Sequence, residues 1–175
     1  MLRIIQYAVA LVFVAVIIIQ DIKEYKIKNM SVILCICVGL ALSACTRDMH
    51  TILNSFIGMF VPLALFPLFA LRMLGAGDIK AICALGALFG TVEIIKIMAL
   101  SFLSGGIIAL GFMLFRKNGI ERVKRFIGYI RGCFMMRKLT SYDGVYENDA
   151  VFRFAYAIAS GTVLYILFEI IGFAI

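Results

Sequence analysis

The chain has 175 residues, 64% of them apolar, with 17 basic and 10 acidic side chains and a formal net charge of +7. Soluble domains run at about 45–50% apolar and about a quarter charged, so this composition excludes one, and with it disorder or a coiled-coil rod. The length suits one domain, and the long uncharged runs make that domain, residues 1–175, an all-α bundle of membrane helices.

A crossing helix needs about 20 mostly apolar residues. Residues 4–19 form the first such run, closed by Gln20-Asp21. No small-x-small cleavage site follows it, so this span is expected to stay in the protein. Residues 30–46 make the second run and 51–71 the third, with Pro62 and Pro67 set to bend it. The fourth uncharged run, 81–92, reaches only about 18 Å at 1.5 Å per residue, against a hydrocarbon core of about 30 Å. To cross, this helix is expected to draw in Asp78 and Lys80 at one end and residues 93–96 at the other. Residues 97–115 and 154–175 complete the set, the last interrupted only by Glu169. About six spans result.

Lys and Arg set the orientation. With the N-terminus outside, Arg3, Arg47 and Lys96 fall on the outer side and every other Lys and Arg on the inner. The basic excess is therefore a topology signal and calls for no nucleic-acid partner. Within the long inner segment, 116–150, Ile120, Val123, Phe126, Ile127 and Ile130 recur at helical spacing between Arg122, Lys124, Arg125 and Arg131. That pattern predicts an amphipathic helix resting on the inner lipid leaflet, followed by a turn at 140–144. The five cysteines (Cys35, Cys37, Cys45, Cys83 and Cys133) form no C-x-x-C pair, and read as small apolar filler rather than metal ligands.

Two aspartates stand out by position. Asp21 closes the first span and Asp78 opens the short fourth one, both at the inner end. Carboxylates beside hydrocarbon cost enough to be functional candidates, whereas one alone also fits a solvated helix end. Gly75 and Gly77, flanking Ala76, offer a backbone able to turn sharply and lie close to another chain. A phosphate loop is disfavoured, because no strand precedes the glycines and an acid follows them. Gly86 and Gly90, like Ser101 and Gly105, read as small-residue packing seams. Lys80 has two roles open to it, tuning Asp78 or reaching to lipid headgroups.

At these residues the chain resembles the type IV prepilin peptidases, membrane aspartic proteases with a Gly-x-Gly-Asp motif. Gly75-Ala76-Gly77-Asp78-Ile79-Lys80 is similar to the second catalytic segment of that family. The first is matched by Asp21 with Ile27 and Asn29, except that Lys28 stands where a proline is usual. Residues 154–161 are similar to its last-span motif, again without the proline. The paired C-x-x-C zinc ligands and soluble insert of the larger members are absent, so the resemblance is to the compact, protease-only form.

The resemblance implies an aspartic endopeptidase of the cytoplasmic membrane with its active site facing the cytoplasm. Asp21 and Asp78 would be catalytic, Gly75, Gly77, Lys80 and Asn29 supporting, and no cofactor or metal would be needed. Helix-end position assigns Asp78 as base and Asp21 as proton donor. The implied partners are prepilin-like proteins with a short basic leader, a small residue before the cut and an apolar helix after it, together with membrane lipids. The acids Asp143, Glu147 and Asp149 read either as a solvated loop or as a docking surface for that leader. The competing readings are a presenilin-type protease cutting within a helix, and a non-catalytic pilus-assembly subunit.

Overall fold

A computed structural model describes residues 2–24, 27–70, 74–115 and 154–172. The amphipathic segment and turn expected within 116–150, with Asp143, Glu147 and Asp149, lie outside these residues. The described chain is helical throughout: α1 (Leu2–Glu24), α2 (Asn29–Cys45), α3 (Met49–Phe60), α4 (Phe66–Ala70), α5 (Ala76–Phe89), α6 (Thr91–Phe115) and α7 (Phe154–Ile171). Helices are the form expected of apolar runs in lipid, where every backbone N–H and C=O must find its partner within the segment.

Among the described residues, four helical units are long and apolar enough to cross a membrane: α1, Met49–Ala70, Thr91–Gly111 within α6, and α7. The second of these is not uniformly α-helical. Val61–Leu65 winds as a 3-10 helix with Pro62 in its first turn, and α4 resumes around Pro67. The two prolines thus fall where the helix changes its winding. α2 is apolar but shorter, at 17 residues.

α5, at 14 residues, is the helix of the short fourth run, and it occupies the middle of the bundle. It packs against α2 and α3, while α6 pairs along α7 and α1 lies against α7. Ile82, Leu85 and Leu88 of α5 are buried with Phe13 and Ile17 of α1, Ile97 of α6 and Tyr165 of α7. Lipid is as apolar as leucine, so this position is set by close packing and not by escape from water. The backbones come together at glycines. A Cβ at Gly39 of α2 would sit 2.9 Å from the Ala87 backbone, and one at Gly86 of α5 would overlap the Gly58 carbonyl oxygen of α3. Gly161 of α7 likewise lies directly on Ser101 of α6. The expected seams at Gly86 and Ser101 thus have Gly58 and Gly161 as their partners.

The far end of α5 corrects one expectation. The fourth passage does not draw in residues 93–96. It stops at Gly90, whose φ of 95° belongs to the left-handed region that favours glycine. The next helix then starts at Thr91, so Glu93 stands in the first turn of α6. Asn54 of α3 holds this turn, its side-chain oxygen accepting the Thr91 N–H at 3.1 Å. Gln6 of α1 donates to the Leu88 carbonyl at 2.9 Å, satisfying an acceptor that the end of α5 would leave open. A helix surrounded by helices, with its Leu88 carbonyl met by Gln6, has no need to span about 30 Å by itself.

Candidate active site

The end of α1, the start of α2 and the start of α5 meet at one end of the bundle. Asp21 lies in the last turn of α1 and Asp78 in the first turn of α5, each partly buried. Their carboxylates lie within electrostatic reach of each other. Two like charges within electrostatic reach in a partly desolvated site disfavour ionising together.

Asp78 is fixed by its own helix start. Gly75 is extended (φ −78°, ψ 146°) and its N–H donates to Asp78 Oδ2 at 3.2 Å, while its carbonyl accepts the Asp78 N–H at 3.1 Å. Neither Gly75 nor Gly77 has a positive φ, so the left-handed freedom of glycine is not used here. The glycines serve as space instead. A Cβ on Gly75 would stand 2.9 Å from Asp78 Oδ2, and one on Gly77 would stand 3.4 Å from the Ile27 side chain.

That second contact joins the two motif segments. Ile27 is buried against Gly77, and two residues on Asn29 Oδ1 accepts a hydrogen bond from Lys80 Nζ at 3.1 Å. The structure therefore brings together all six candidate residues: Asp21, Asn29, Gly75, Gly77, Asp78 and Lys80. The Lys80 ammonium is directed at Asn29, a partner that the sequence alone does not point to.

Lys28 takes a backbone conformation of φ −72° and ψ 130°, within the range a proline would impose. Its N–H donates to Gln20 Oε1 at 3.0 Å, and Gln20 Nε2 donates to Ser31 Oγ at 2.6 Å. Sequence reasoning missed Gln20 and Ser31. The available signal was an amide directly beside the aspartate, with a hydroxyl in the first turn of the next helix. The Lys28 ammonium pairs with Glu24 at 2.6 Å, on the exposed side.

A second polar group lies at the opposite end of the bundle. Arg3 at the start of α1 pairs with Glu93 at 3.1 Å, and the Tyr165 hydroxyl points to Glu169, at 3.5 Å. It is remote from Asp21 and Asp78. Among the described residues, no three His, Cys, Asp or Glu side chains gather where they could hold a metal ion.

Comparison with known proteins gives one match. The family model of the type IV leader peptidase family matches residues 8–110, a stretch containing both aspartates and every contact between the two motif segments. No curated protein and no solved structure matches the chain.

Proposed function

Because this chain belongs to the type IV leader peptidase family, we propose that it is a membrane aspartic endopeptidase that removes the basic leader from prepilin-like proteins. Membership makes it a peptidase of the membrane. The observation that carries the finer reading is the seating of Ile27 and Asn29 on the start of α5, at the end of the bundle where Asp21 and Asp78 come within electrostatic reach of each other.

The chemistry needs one proton on the pair. The ionised carboxylate takes a proton from water, whose oxygen attacks the scissile carbonyl carbon. The protonated partner donates to the carbonyl oxygen. The tetrahedral intermediate then collapses: the C–N bond breaks as the amine takes the proton that the first carboxyl drew from water, and a hydroxyl of the intermediate returns its proton to the second carboxylate. The Gly75 N–H bonds Asp78 Oδ2 at the start of α5, and Asp21 stands in the last turn of α1, so each acid is held at a helix end. The repulsion between them means that the proton belongs to the pair.

The distribution of Lys and Arg supports a cytoplasmic location for this end of the bundle, which is where a basic leader emerges from the membrane. The test is co-expression with a prepilin bearing a basic leader, reading the pilin's N-terminus by mass spectrometry. Cleavage directly after the small residue that ends the leader supports the proposal. An intact leader, with the enzyme present in the membrane, refutes it for that substrate class.

A further inference from the structure

We infer that Gln20 is a positioning residue for the aspartate pair, acting as a side-chain clamp on the α1–α2 turn; this rests on the proposed protease function. Gln20 immediately precedes Asp21, so the two share the last turns of α1. Its amide makes two bonds to the incoming strand of the turn: Oε1 accepts the Lys28 N–H at 3.0 Å, and Nε2 donates to Ser31 Oγ at 2.6 Å. The residues on either side of Lys28 dock on α5, Ile27 against Gly77 and Asn29 against Lys80. One side chain on α1 therefore fixes the segment that seats itself around Asp78. Loosening it changes the spacing of Asp21 and Asp78 without touching either carboxyl.

The backbone at Lys28 supplies the control. Its φ of −72° is one that a proline ring locks in place. Proline here removes the N–H that Gln20 accepts and also the freedom that Gln20 restrains. With Pro at this position, Gln20 has much less to do. A residue whose role is the geometry of this turn becomes dispensable in the Lys28→Pro background, whereas a residue touching substrate does not.

The experiment uses full-length protein in membranes and a prepilin with a lysine- and arginine-rich leader ending in glycine. It compares wild type, Gln20→Leu, Lys28→Pro, the double variant, Asp21→Asn and Asp78→Asn. Gln20→Leu is expected to lower kcat about tenfold with KM within about twofold, as displacement of reacting groups does. The double variant is expected to recover to within about threefold of Lys28→Pro alone. Ser31→Ala, which removes one of the two bonds, keeps the test open should Gln20→Leu not accumulate; its kcat is expected to fall about threefold.

Wild-type kcat in Gln20→Leu, or in Ser31→Ala where that variant is the one measured, overturns the inference. So does a loss that Lys28→Pro leaves uncorrected. If wild type cuts and both asparagine variants do not, while Gln20→Leu is unaffected, the protease reading stands and the clamp alone is wrong. If wild type leaves the leader in place, the protease reading fails and the positioning role falls with it.

Discussion

Lys80 reaches across from α5 to donate a hydrogen bond to Asn29 at the start of α2, joining residues 51 positions apart at 3.1 Å. The bond closes a small docking surface: Asp21 and Gln20 on α1, Ile27 and Asn29 after the turn, and the Gly75–Lys80 stretch of α5. The site is assembled by this seating, because no single helix carries both acids.

Asn29→Ala and Lys80→Met should each lower leader cleavage, and the double variant should be little worse than either single one. The bond is exposed, so the coupling should be small, about 0.5–1 kcal/mol. A double-mutant cycle on kcat/KM measures it. Full additivity would mean that the two side chains act separately.

The contact of α5 with α3 leaves no room for a methyl group. Gly86→Ala drives a Cβ into the Gly58 carbonyl oxygen, which is backbone and cannot swing aside. A loss of about 1–3 kcal/mol is expected, read as a lower thermal midpoint in detergent. Gly111→Ala, where a Cβ meets nothing within 4 Å, is the control and should be neutral.

Asp48 caps α3, accepting from the His50 and Thr51 N–H groups and from the Thr51 hydroxyl. The Thr51 hydroxyl bond, chiefly, holds its carboxyl below the usual carboxylate range. A depressed folded value stabilises the fold above the unfolded value of about 3.9, and that contribution is lost as pH falls through the folded value. Asp48→Ala should therefore lower the thermal midpoint at neutral pH, with the difference from wild type shrinking in acid. Asp48→Asn should keep most of the cap and lose the pH dependence.

Cleavage itself should follow a bell-shaped pH profile. On the acid side both carboxyls are protonated and no base remains; on the alkaline side both are ionised and no donor remains. A kcat/KM profile measured in membranes tests this. A single limb would point to one working acid.

Much of this was legible because lipid imposes a simple grammar. Uncharged runs marked the helices, prolines marked the change of winding, and acids at the ends of spans marked the candidate pair. The break at Gly90 was not legible, because Thr91 and Val92 continue the apolar run across it. Glu93 was therefore given to the wrong helix, and its pairing with Arg3 could not be foreseen. Lys80 was judged against Asp78 on its own helix, whereas its partner comes from α2. Spacing within one segment carries no information about which other segment will dock there, and Gln20 was missed for the same reason.

The central claim is that Asp21 and Asp78 act as one catalytic pair. The most direct test is to express wild type, Asp21→Asn and Asp78→Asn separately beside a basic-leader prepilin, with membrane levels matched, and to weigh the mature pilin. Wild type should yield the shortened pilin, and both variants only the full-length precursor. A processed pilin from either asparagine variant at matched levels would contradict the account, because that acid would then be structural and the pair would not exist.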